Sequence, residues 1–221
     1  VAVGGSMARF TIDNEYLYTI DGSEIKVFDV TQTLPVLKNE VFVQWGIETL
    51  FPLAGSLFIG SNSGLIIYDI TNPEAPVYLS TFAHATACDP VVVSGNTAYV
   101  TLRDGTECLG FVNQLDVIDV SNLSSPSLIQ SYPMSNPHGL SVLDETLYLC
   151  EGASGLKIFD VADNLKITNN LLDHVTGFFA YDVIVLPPGD HVMVVGKDGL
   201  YQFDASNRSD VKQLSVISIG N

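Results

Sequence analysis

Basic residues are scarce in this chain. Nine Lys and Arg stand against 25 Asp and Glu, giving a net charge of −16, and only 15% of residues are charged. A surface this acidic repels phosphate backbones and anionic lipid headgroups, so nucleic acid and membrane surfaces are excluded as natural partners. A cation, a neutral ligand or a basic partner fits the balance, and so does solubility alone. Long apolar runs are missing too. No stretch of about 18 apolar residues occurs, so no membrane insertion is expected within the chain. Three cysteines, Cys88, Cys108 and Cys150, are too few for a disulfide scaffold and lack metal-ligand spacing. Helical i, i+3, i+4 periodicity is absent. There is no Gly-rich phosphate loop, no nucleophile elbow, and no Ser or Cys beside an evident His. The opening Val1-Ala2-Val3-Gly4-Gly5 has neither Met nor a basic leader. The expectation is a processed or truncated product, with any signal peptide or anchor outside it.

What the chain has is a repeated pentad, mostly apolar and ending in Asp. It reads Ile25–Asp29, Leu65–Asp69, Leu115–Asp119, Leu156–Asp160 and, weakly, Leu200–Asp204, at Asp-to-Asp steps of 40, 50, 41 and 44 residues. That period belongs to a propeller blade. Repeat two shows the parts most clearly: strands at Ile47–Leu53, Ser56–Ser61, Leu65–Ile70 and Val77–Phe82, with Ala54-Gly55, Ser63-Gly64 and a Pro-rich turn between them. Hydrophobic residues make up 47% of the chain, enough for a large core. The third strands are apolar on nearly every residue, as expected when both sheet faces are covered.

The reading is an all-β chain: a single β-propeller domain over residues 1–221, closed, with five blades of four antiparallel strands. The blades fall near 4–44, 45–83, 84–133, 134–175 and 176–221. A monomer is expected. The repeating Asp is expected to cap the turn after the third strand by accepting backbone N–H bonds. Pro35, Pro73, Pro76 and Pro126 stiffen these turns in the first three repeats.

The Leu65-Ile66-Ile67-Tyr68-Asp69-Ile70-Thr71-Asn72-Pro73-Glu74-Ala75-Pro76 stretch resembles the LVIVD-repeat family of bacterial secreted or surface β-propeller proteins. The resemblance extends over the whole chain in degenerate form. It implies a propeller in a periplasmic, cell-surface or extracellular setting, and it implies no reaction.

Aligning the starts of the first strands puts one ionisable residue per blade at the mouth of the central channel: Arg9, Glu48, Asp89, His138 and Asp182. Buried charge is costly unless paired or used. Glu48, Asp89, His138 and Asp182 form a candidate set for a divalent cation. Alternatively the ring holds a small polar ligand, with Arg9 fixing a carboxylate, or it simply lines a water-filled channel. Met134–Leu140 enters blade four with Asn136, Pro137, His138 and Gly139 together, so the backbone aims His138. The ten-residue excess of repeat three makes a long loop, Arg103–Phe111, expected to overhang the mouth and to add Arg103 to the site. That overhang brings Cys108 toward Cys88, and a Cys88–Cys108 disulfide is expected, with Cys150 as a buried apolar residue. Trp45 stands just before blade two as a candidate aromatic wall.

Three functions remain open. A binding or interaction module with no certain cofactor is preferred, meeting a small polar ligand or a protein partner. A glycosidase-like hydrolase would use Glu48, Asp89 and Asp182, with Trp45, Phe178, Phe179 and Tyr181 as groove aromatics. A purely structural module of a larger surface protein is the third.

Overall fold

The computed structural model describes residues 6–83, 90–104 and 112–219. Asp89, His84, Cys88 and Cys108 lie outside them, and with them the expected bridge. Twenty strands form five separate four-stranded antiparallel sheets. Blade one holds β1 (Phe10–Asp13), β2 (Tyr16–Asp21), β3 (Glu24–Asp29) and β4 (Val36–Phe42). Blade two holds β5 (Ile47–Leu53), β6 (Ser56–Ser61), β7 (Gly64–Asp69) and β8 (Val77–Ala83). Blade three holds β9 (Val91–Ser94), β10 (Thr97–Leu102), β11 (Gln114–Asp119) and β12 (Ser127–Pro133). Blade four holds β13 (Leu140–Leu143), β14 (Thr146–Cys150), β15 (Leu156–Asp160) and β16 (Leu171–Val175). Blade five holds β17 (Ala180–Leu186), β18 (His191–Gly196), β19 (Gly199–Asp204) and β20 (Lys212–Ser218). Each sheet runs in sequence order, so every blade is a meander made by local hairpins. In repeat two the expected strands match the observed ones to within a residue at each end.

The repeating Asp does the work expected of it in all five blades. Oδ1 of Asp29, Asp69, Asp119, Asp160 and Asp204 accepts the backbone N–H two residues on, at 2.7–2.9 Å. The following residue then donates its own N–H to the turn between the first two strands: Val30 to Glu15, Ile70 to Gly55, Val120 to Asn96, Val161 to Glu145 and Ala205 to Asp190. Directly before the Asp, every third-to-fourth strand pairing shifts register, at Val27/Phe28, Ile67/Tyr68, Val117/Ile118, Ile158/Phe159 and Gln202/Phe203. A bulge there adds twist to the outer edge of each blade.

Four apolar cores lie between blades one and two, two and three, three and four, and four and five. Among the described residues none joins blade five to blade one. The five blades of four antiparallel strands stand as expected. The face of blade one that would receive blade five exposes Phe10 (63%) and Ile12 (55%), and the opposing face of blade five exposes Val195 (43%) and Ile217 (68%). The side chains explain it. Thr19 stands in β2 where the later blades bury Ile59, Val100, Leu149 and Val194. Gln202 stands where blades one to four bury Val27, Ile67, Val117 and Ile158. Neither polar group belongs in a dry sheet-to-sheet core. The two blades meet instead near the axis. Ser6 Oγ donates to Asp182 Oδ1 (3.2 Å) and accepts from Leu140 N (2.7 Å), and Ala8 C=O accepts from Leu50 N (3.0 Å). Residues 6–8 therefore link blades five, four and two.

Candidate functional site

A cavity of about 410 Å³ opens at the channel mouth. Its wall includes Met7, Arg9, Glu48, Thr49, Arg103 and His138. Of the six expected ligand-binding residues, Arg9, Glu48, Arg103 and His138 thus come together. Asp89 lies outside the described residues. Asp182 turns away from the cavity to hold the leading segment, accepting from Ser6 Oγ and from Val183 N (2.9 Å). Among the described residues, no group of three or more His, Cys, Asp and Glu is placed to hold a metal ion.

His138 owes its position to backbone bonds on both sides. Its N–H donates to Cys150 C=O (2.8 Å), its C=O accepts from Thr101 Oγ1 (2.7 Å), and Gly139 N–H donates to Tyr181 C=O (2.8 Å). Phe179 and Tyr181 make T-shaped contacts with its ring at centroid distances of 5.5 and 5.6 Å. Only 4% of His138 is exposed. Burial, with the Arg103 charge as a smaller cause, lowers its pKa from 6.5 to about 4, so the imidazole is neutral at pH 7. Arg103 Nη1 lies 3.3 Å from His138 Nε2. A guanidinium only donates, so Nε2 is the accepting nitrogen and the proton sits on Nδ1. That lone pair is engaged by Arg103 rather than aimed at an open ligand position.

Glu48 is half-buried, and its pKa is raised by desolvation against the lowering influence of Arg9 and Arg103. Arg103 is itself depressed by burial, with Asp104 and Glu48 acting the other way. The described lining therefore carries two guanidinium charges against one carboxylate, with a neutral imidazole between. It suits an anionic group.

Sequence reasoning missed Glu151. It is fully buried, its Oε2 accepts from Ser135 N and Asn136 N (3.0 Å each), and Lys157 Nζ lies 3.2 Å from Oε1. It fixes the turn that carries Pro137 and His138. The signal was available: an acid directly after the all-apolar Leu147–Cys150 strand, in a chain with few charges. Gly152 belongs to the same arrangement. It sits at φ +55°, and a side chain there would run into Asn136 and His138. Ser6 was missed because its role lies 176 residues away in sequence. Cys150 is free and buried, as expected.

Of the groove aromatics, Phe178 is buried in the core between blades four and five, while Trp45 is exposed. Fold and cavity define a five-bladed β-propeller with a polar pocket at its axis. The profile described as LVIVD repeat matches residues 56–83 and 86–133. The chain is a β-propeller that carries LVIVD repeats. No curated protein matches it. Among solved structures it is similar to a computationally designed protein (14% identity, TM-score 0.68). It is also similar to a functionally unknown protein from Desulfotomaculum acetoxidans (11%, 0.72) and to a Bacteroides uniformis protein provisionally described as a 6-phosphogluconolactonase (12%, 0.73). These similarities cover 95%, 94% and 95% of this chain but only 61%, 67% and 71% of the other chains. At such identities they speak for the fold alone.

Proposed function

We propose that this propeller is a binding module whose axial cavity takes a small organic carboxylate. The observation that carries the reading is that Arg9 and Arg103 both line the cavity together with a neutral, backbone-fixed His138. Arginine is the natural partner of a carboxylate because its fork of donors matches two oxygens. A hydrolase is less well supported, because a glycosidase needs two carboxyl groups about the scissile bond. Glu48 alone supplies one among the described lining residues.

The reading is tested by isothermal titration with glycolate and tartrate as probes. Binding by the wild type that weakens at least tenfold in Arg103→Gln supports it. A stoichiometric metal, with a fall in melting temperature on EDTA treatment, would replace it by the cation reading. An exported setting belongs to the same proposal. One reactive thiol on the unfolded protein supports a Cys88–Cys108 bridge and an oxidising compartment, whereas three would rule the bridge out.

A further inference from the structure

The cavity wall is not all charge. Ile47, Pro90, Pro137 and Met7 line it as well. The first three are buried, whereas Met7 is 40% exposed. Met7 nevertheless belongs to a segment fixed at either end. Before it, Ser6 is 1% exposed, with Oγ donating to Asp182 Oδ1 (3.2 Å) and accepting from Leu140 N (2.7 Å). After it, Ala8 C=O accepts from Leu50 N (3.0 Å) and Arg9 C=O from Ile20 N (2.9 Å). A side chain at Gly139 would run into Asp182, so the backbone after His138 lies directly against the acid that holds Ser6. A braced segment thus presents a thioether to the same cavity that receives Arg9, Arg103 and His138. Methionine is unbranched and polarisable, and it adapts to apolar partners of varied shape.

We infer that the occupant of this cavity is a short-chain aliphatic carboxylate, with Met7 as the residue that selects its hydrocarbon tail. The inference rests on the carboxylate reading above and deepens it. The carboxylate meets Arg9 and Arg103. The tail lies against Met7 and the two prolines and takes apolar surface out of water. The lone pair of His138 Nε2 is engaged by Arg103, so it is not offered to a ligand hydroxyl. A cavity of about 410 Å³ lies in the usual range for small-ligand sites and holds a chain beyond the acid group. Because the backbone on both sides of Met7 is already bonded, binding has little of it left to order.

The test is isothermal titration of the purified chain with three probes: acetate, hexanoate and hexanol. Hexanoate should bind at least tenfold more tightly than either of the others; burial of about two methylenes is enough for that gain over acetate. Met7→Ser should weaken hexanoate tenfold or more and leave acetate unchanged, with Met7→Leu keeping most of the wild-type preference. Because Met7 is partly exposed, circular dichroism should show both variants folded. If hexanoate and acetate bind alike with dependence on Arg103, or if Met7→Ser leaves hexanoate unaffected, the aliphatic inference is overturned and the carboxylate reading stands. Hexanol binding as tightly as hexanoate overturns both, as does a wild type that binds neither carboxylate.

Discussion

Two titratable residues near the axis, buried His138 and partly buried Asp182, respond to pH in opposite directions. Desolvation raises Asp182 from 3.8 to about 6, despite the bonds it accepts from Val183 and Ser6. The folded state then favours the protonated acid, so the stability Asp182 contributes is full below pH 3.8 and lost as pH rises through about 6. His138 is lowered from 6.5 to about 4, so its contribution is full above pH 6.5 and lost as pH falls toward 4. Each shift corresponds to roughly 3 kcal/mol, and the two largely offset between pH 4 and 6.5. Asp182→Asn should unmask the histidine: relative to wild type, its stability should drop by up to about 3 kcal/mol on acidification across that window. Urea unfolding at pH 4.5 and 6.5 measures it, and a variant that tracks wild type at both would show that Asp182 is not a buried acid. Glu151 predicts a different outcome. Glu151→Ala takes the carboxylate from the Ser135 and Asn136 N–H groups and from the partly exposed Lys157, and should destabilise the chain by about 1–3 kcal/mol. The ionisable ring was legible from strand alignment because blades repeat. Which members face the cavity was not, since Asp182 is claimed by Ser6, a contact no local pattern encodes.

At the scale of the element, the turn after each third strand is the recurring device. Asp69→Ala removes the acceptor of Thr71 N–H and should lower stability by about 0.5–2 kcal/mol, read as a shift in the urea midpoint at constant slope. Asp204→Ala should do the same for blade five, whose pentad is the most degenerate in sequence, because Asp204 makes the same bond, accepting from Ser206 N at 2.9 Å against 2.7 Å for Thr71 N to Asp69. Equal losses would confirm that geometry, not motif quality, sets the cap. A larger effect belongs to the pentad's third position. Ile67→Ala opens a hole in the core between blades two and three and should destabilise by about 2–5 kcal/mol. The strands and turns were legible because Val, Ile, Tyr and Phe alternate with Gly, Pro and Asn at hairpin spacing. The five bulges before the Asp were not. A register shift depends on the partner strand, and the apolar run reads alike with or without it.

For the molecule as a whole, the finding of consequence is that, among the described residues, Phe10 and Ile12 of blade one and Val195 and Ile217 of blade five are exposed. Each blade buries its apolar residues only against a neighbour, as in any array of repeats. Phe10, Ile12, Val195 and Ile217 should therefore bind a hydrophobic dye in the native state. Replacing Val195 and Ile217 with Thr should reduce the fluorescence of bound dye without lowering the melting temperature. Unchanged fluorescence would mean these faces are covered in solution.

Architecture was determined by the sequence itself. A blade is a local hairpin meander, its period, turns and Asp cap are encoded within some 40 residues, and repetition makes the code readable. The fit between the ends was decided in three dimensions. Thr19 and Gln202 are each a single polar residue in a strand, and only the packing of whole sheets shows that they stand where an interblade core would close. The cavity follows the same logic. Arg9, Glu48, Arg103 and His138 span 130 positions of chain, and the arrangement of the blades around one axis brings them into the lining of one cavity.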